Sequence, residues 1–136
     1  MSSEISPELQ DDVIHREKVT LYPKLIENIH YATFVALEKH RELNKKHKAD
    51  QKKLKDFDDN LVNTNLARMT LEARLAVLAP ESVLKAYIPM RKILDGNGAG
   101  VDALSVFLKL ISVMRDDIEL ENLPSVELIK GVLYSS

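Results

Sequence analysis

Residues 39–55 read KHRELNKKHKADQKKLK. The run holds eight basic residues (Lys39, Arg41, Lys45, Lys46, Lys48, Lys52, Lys53 and Lys55) against two acids, Glu42 and Asp50. Its local balance is +6, whereas the whole chain carries −2, which leaves −8 for everything outside the run. A segment this polar cannot form a core. On both sides it is flanked by apolar residues at helical spacing. It therefore reads as the charged tip of a helical hairpin, and that reading decides the fold.

Before the tip, Leu25, Ile26, Ile29, Ala32, Val35, Ala36 and Leu43 recur with a period near 3.6. They predict a helix that reaches about Lys46, roughly 35 Å long at 1.5 Å per residue. After it, Leu54, Phe57, Leu61, Val62, Leu66, Met69, Ala73, Ala76 and Val77 predict a returning helix that ends near Ala79, ahead of Pro80. The turn falls at His47-Lys48-Ala49-Asp50, with Asp50 as the cap of the second arm. Two long helices joined so tightly pack antiparallel.

Working outward, Ser6-Pro7-Glu8 is a helix start: a hydroxyl cap, proline at the first helical position, then an acid. Pro23 lacks the amide donor a helix interior needs, so a kink or a break with restart is expected there. Pro80-Glu81 opens a shorter helix through Val83, Leu84 and Tyr87, which Pro89 should kink or split. Asp95-Gly-Asn-Gly-Ala-Gly100 is the clearest loop. A helix restarts around Asp102 with Leu104, Phe107, Leu108, Ile111 and Met114 on one face. A loop at residues 122–125 and a short helix at 126–133 close the chain.

The expected architecture is a single all-α domain over residues 1–136: an antiparallel long-helix hairpin packed with shorter C-terminal helices, bundle-like, its tip projecting beyond them. The predicted core draws on Ile29, Phe34, Leu61, Leu66, Leu75, Leu78, Leu84, Leu104, Leu108 and Ile111.

Composition is consistent with this. A length of 136 residues suits one domain that buries a core without staples. A hydrophobic fraction of 45% with 29% charged residues is that of a soluble globular chain. There is no cysteine, which excludes disulfides and thiolate chemistry and fits a cytoplasmic location. The opening residues show no basic region followed by an apolar one, so no signal peptide is expected. No run approaches the ~18 apolar residues of a spanning helix.

Few constellations carry chemistry. Glu27 and His30 form Glu-x-x-His, which places both on one helical face. Carboxylate-bridged metal bundles use two such motifs plus two further glutamates, and this chain has the one. His40 and His47 share a face, but lysines surround them and repel a cation. Nucleophile elbows and zinc-protease motifs are absent. Asp116 and Asp117 point about 100° apart on a helix and form no dyad; they read as a solvated helix end, with Arg115 offsetting acids that oppose the macrodipole. The glycine loop has Gly-x-Gly-x-Gly spacing, a helix on each side and no lysine, so it reads as a flexible connector rather than a phosphate cradle.

The basic tip has three readings. The simplest is a solvated helix end. The second is a docking surface for an acidic protein partner or an anionic membrane surface, where clustered basic residues contribute about 1 kcal/mol each within a Debye length. Nucleic acid binding has the least support, because Phe57 is the only aromatic beside the tip and Arg41 and Arg68 are the only arginines from residue 39 to 68. Asp56, Asp58 and Asp59 follow the run directly and are expected to pair with lysines across the hairpin turn.

Two segments add a resemblance. Glu72-Ala-Arg-Leu-Ala-Val-Leu-Ala-Pro-Glu-Ser-Val-Leu-Lys-Ala86 and, later, Met114-Arg-Asp-Asp-Ile118 resemble a pattern in small bacterial helical-hairpin proteins with no assigned activity. The resemblance spans about the second half of the chain. It implies a bacterial origin and a helical hairpin, and it transfers no functional residue. The function expected from the whole is non-enzymatic, without cofactor: binding a protein partner or self-associating through helical surfaces. The alternatives are a metal-binding bundle or enzyme around Glu27 and His30, and an anionic-surface binder using the tip.

Overall fold

The computed structural model describes residues 7–45, 51–98, 100 and 102–119. The chain is all-α. In order run α1 (Pro7–His30), a π-helical turn (Tyr31–Val35), α2 (Ala36–Lys45), α3 (Gln51–Leu78), α4 (Glu81–Leu94) and α5 (Ala103–Asp117). The turn expected at residues 47–50, the loop at 122–125 and the helix at 126–133 lie outside the described residues.

The first arm stays helical across Pro23, so neither a break nor a restart occurs there. The irregularity lies eight residues on. At Tyr31–Val35 the amide of Ala36 donates to the carbonyl of Tyr31, five residues back, and both flanking residues keep right-handed helical angles. The helix opens by one residue in this turn and then resumes. Pro89 likewise sits inside a continuous α4 rather than splitting it.

The partners of α1 and α2 on α3 run in opposite directions, as a hairpin requires. Glu17 pairs with Arg74 at 3.4 Å, Asn28 Nδ2 donates to the carbonyl of Thr64 at 2.9 Å, and the His40 ring lies 5.9 Å from that of Phe57. On α3 the half-buried and buried positions are Leu54, Phe57, Leu61, Thr64, Arg68, Leu71, Leu75 and Leu78, with Glu72 beside them. Their alternating three–four spacing is a heptad seam.

Helices α4 and α5 cover one end of this hairpin. Leu21, Tyr22, Leu25 and Ile29 of α1, Leu75 of α3, Val83, Tyr87 and Met90 of α4, and Phe107, Leu110, Ile111 and Met114 of α5 make the core, with Ile118 just beyond. Of the predicted core, Ile29, Leu75 and Ile111 are buried and most of the rest are half-buried. Leu66 is a correction: it stands 57% exposed. It lies on the far side of α3 from the seam, where no described helix covers it. Towards the tip, residues 37–42 and most of 51–56 are exposed, so the hairpin extends past its cover.

The link between α4 and α5 begins as a hydrogen-bonded helix end rather than a loose connector. Gly96 N–H donates to the Ile93 carbonyl and Asn97 N–H to that of Lys92, the paired pattern that closes a helix through a left-handed residue. Gly96 is that residue, with φ +83°. Asp102 then caps α5, accepting from Leu104 N–H at 3.1 Å and from the Ser105 hydroxyl at 2.7 Å.

Candidate functional site

The basic tip is the first place to look. Lys39, Arg41, Lys52, Lys53 and Lys55 are exposed, while Lys46 and Lys48 lie outside the described residues, as does the side chain of Lys45. The Lys39 ammonium sits 5.5 Å from the centre of the Tyr31 ring, and Arg41 meets Glu38 at 3.8 Å with both groups largely in water. Among the described residues, no ion pair joins Asp56, Asp58 or Asp59 to a lysine. The partners expected for them lie across the turn, where Lys46, Lys48 and the side chain of Lys45 fall outside the described residues.

Glu27 is exposed, while the His30 ring stacks 6.1 Å from Phe107 and lies 5.8 Å from Phe34. No group of three metal-ligating side chains occurs among the described residues.

Asp117 departs from the solvated end expected of it. Its carboxylate is 13% exposed, receives the Tyr22 hydroxyl at 2.5 Å and pairs with Lys18 at 3.1 Å. It thereby ties the end of α5 to the middle of α1. Burial raises the Tyr22 phenol above its ordinary range, helped by the hydrogen bond to Asp117 and by its charge. A second clip joins α3 to α4: Glu72 accepts from the Tyr87 hydroxyl and from Arg91, which also reaches Asp95 at 3.1 Å. Burial first, then Glu72, raises the Tyr87 phenol. The bonds to Glu72 and Asp95 hold the Arg91 guanidinium even more firmly protonated than usual. Both clusters are internal ties with every charge answered.

Helix α3 differs from the others in carrying an apolar stripe on each of two opposite sides. Val62, Leu66, Met69 and Val77 are 56%, 57%, 61% and 83% exposed. With Ala73 and Ala76, also exposed, the first three follow a four–three repeat, Val77 lying beside its end, about 140° around the helix from the buried seam at 100° per residue. Of the other large exposed apolar side chains, Leu37 and Ile88 stand singly, while Val13, Ile14 and Val19 are on α1. From residue 62 to 71 the one charged residue is Arg68, and that is 6% exposed. The outer face of α3 is therefore both apolar and uncharged over this length.

Arg68 is the other feature that sequence reasoning passed over. It occupies a position of the buried seam. Nη1 donates to Asn28 Oδ1 at 3.1 Å and Nη2 to Asn65 Oδ1 at 2.7 Å. Nε, although buried, has no partner. No described acid pairs with it, because Glu72, one turn along, is held by Tyr87 and Arg91. Arg68 lines a cleft of about 480 Å³ where the cover of α4 and α5 ends. The π turn supplies Thr33 and Phe34, α2 supplies Leu37, α3 supplies Leu61, and Ile93 and Ala103 come from the two sides of the α4–α5 link. The Thr33 hydroxyl is also buried without a partner. A sequence signal existed: an arginine at a core position of the heptad. It becomes visible only once the two apolar repeats of α3 are told apart.

No helix among the described residues is long and apolar enough to cross a membrane. Comparison with protein-family models, with curated proteins and with solved structures finds no match for this chain.

Proposed function

We propose that this chain is a non-enzymatic interaction protein that pairs with a second copy of itself through the outer face of α3. The observation that carries the reading is the exposed stripe of Val62, Leu66, Met69, Ala73 and Ala76, with Val77 beside its end. Its heptad spacing, sustained over two repeats, is what a partner helix needs. An apolar patch of this continuity marks an interaction surface more often than a solvated one. A second copy suits it because the face carries no charge for residues 62–71, so it neither repels itself nor selects a charged partner. Burying half-exposed valine, leucine and methionine side chains on both partners stabilises association by about 1 kcal/mol for each side chain, against the several kcal/mol that association costs.

Sedimentation equilibrium at micromolar to submillimolar concentration tests this. The expected result is a concentration-dependent dimer that Leu66→Asp with Met69→Asp converts to monomer. Both sites are exposed, so the double variant keeps its helical signal and loses about 1 kcal/mol or less of monomer stability. A wild-type chain that stays monomeric throughout the range overturns the proposal.

The exposed lysines of the tip favour a second reading, binding to an anionic surface, since the pair at Arg41 and Glu38 is too solvated to quench their charge. Vesicles containing phosphatidylserine should then bind the chain in a salt-dependent manner that Lys52→Gln, Lys53→Gln and Lys55→Gln together weaken. Binding that ignores either salt or these substitutions removes this reading.

A further inference from the structure

We propose that the cleft beside the π turn binds a small monoanionic amphiphile, a single carboxylate on an aliphatic body, with Arg68 as its anchor. Arg68 is a buried cation with no acid of its own among the described residues, and a charge in that position is costly unless something answers it. Its hydrogen bonding is asymmetric in an informative way. Nη1 is held by Asn28, a half-buried residue of the opposite arm. The other edge of the guanidinium, Nε with Nη2, is the fork that a carboxylate grips with two parallel bonds. On that edge Nε is unpartnered, and Nη2 is occupied by the amide oxygen of Asn65. Asn65 is exposed and lies three residues from Arg68 on the same helix. It can turn to solvent and release the edge while Asn28 keeps the guanidinium in place.

The remainder of the cleft suits the rest of such a molecule. Phe34, Leu37, Leu61 and Ile93 give it an apolar lining, and its volume of about 480 Å³ is that of a small-ligand site. The unpartnered Thr33 hydroxyl adds one donor without adding charge. Arg68 is the one arginine or lysine in the lining, which also carries the imidazole of His40, so its single fixed charge matches that of one carboxylate. The π turn that brings Thr33 and Phe34 to this wall is an irregularity of a kind found repeatedly at binding sites.

The test is titration of the full chain with decanoate, with decanol as the uncharged counterpart and decyltrimethylammonium as the cationic one, all below their micellar range. Calorimetry gives affinity, and the nitrogen–proton signals of the arginine Nε groups report the anchor. Saturable binding of about one decanoate per chain is expected, about ten-fold or more tighter than decanol. One Nε–H signal should shift in step with it, and that signal should be missing in Arg68→Met. Asn65→Ala, at an exposed site, should keep the fold and bind decanoate at least as well as wild type. Equal affinity for decanoate and decanol overturns the proposal, as does binding that leaves every Nε–H signal unmoved or a loss of binding in Asn65→Ala. Where Arg68→Met fails to fold, the signal is assigned on the wild-type chain by its through-space contacts to the Arg68 and Asn65 side chains, and a shift confined to another arginine overturns the proposal.

Discussion

Two tyrosines hold the ends of this bundle to carboxylates, and the same arrangement sets how stability depends on pH. Tyr22 donates to Asp117 and Tyr87 to Glu72, each from a buried ring. Both phenols are raised above their ordinary range, chiefly by burial. In the unfolded chain a tyrosine releases its proton near pH 10, whereas these two keep theirs in the fold. Above that pH the folded state binds more protons than the unfolded one, so stability falls as pH rises. The tyrosine contribution should therefore be constant below about pH 9 and decline from about pH 10, by up to ~1.4 kcal/mol per pH unit for each tyrosine. Urea unfolding between pH 8 and 11 measures this, and Tyr22→Phe should remove its share of the slope. An unchanged slope in that variant would mean that Tyr22 titrates alike in both states. Neither tie was legible in the sequence. Asp117 looked like one of two acids at a helix end, and only the approach of α1 brings Lys18 and Tyr22 to it.

At the scale of the elements, local chemistry decided most boundaries. Proline and acid at Pro80-Glu81, the Gly96 helix end and the Asp102 cap all act within a few residues, so their effects can be read along the chain. Pro23 and Pro89 neither break nor split their helices, for the opposite reason. Each removes one amide donor, but the flanking turns are packed into the core through Leu21, Tyr22 and Leu25, and through Tyr87 and Met90, and that packing outweighs the lost bond. The π turn left no mark in the residue pattern. The link between α4 and α5 gives a sharp test. A Cβ on Gly98 would lie 2.5 Å from Ile93 Cγ1 and 3.0 Å from the Ile93 Cα. The side-chain atom can move, but the backbone atom cannot without disturbing the end of α4. Gly98→Ala should cost about 1–3 kcal/mol, seen as a lower urea midpoint with an unchanged slope. A variant as stable as wild type would show that the link gives way freely.

For the molecule as a whole, the decisive asymmetry is that α4 and α5 cover one end of the hairpin and leave the other bare. The core gathers around Leu25, Ile29, Leu75 and Phe107, while residues 37–42 and most of 51–56 are exposed. Local opening free energy tracks buried apolar contact. Amide exchange in α2 and in the first turns of α3 should therefore be faster than at Leu25, Leu75 or Leu110, by about two orders of magnitude or more. Uniform protection along both arms would mean that the tip is stabilised as firmly as the core. The hairpin itself was legible, because a run of eight basic residues between two apolar helical repeats has few other solutions. The charge of the tip, the helical class and the approximate ends of the helices were likewise determined by the sequence, since each depends on neighbours within a turn or two. What tertiary structure alone decided is which of the two apolar repeats of α3 faces the core. Both have helical spacing, and periodicity cannot rank them. The approach of α1, α4 and α5 buried Leu75 and Arg68, left Leu66 and Met69 in water, and so separated the seam that holds the fold from the apolar face that stays exposed.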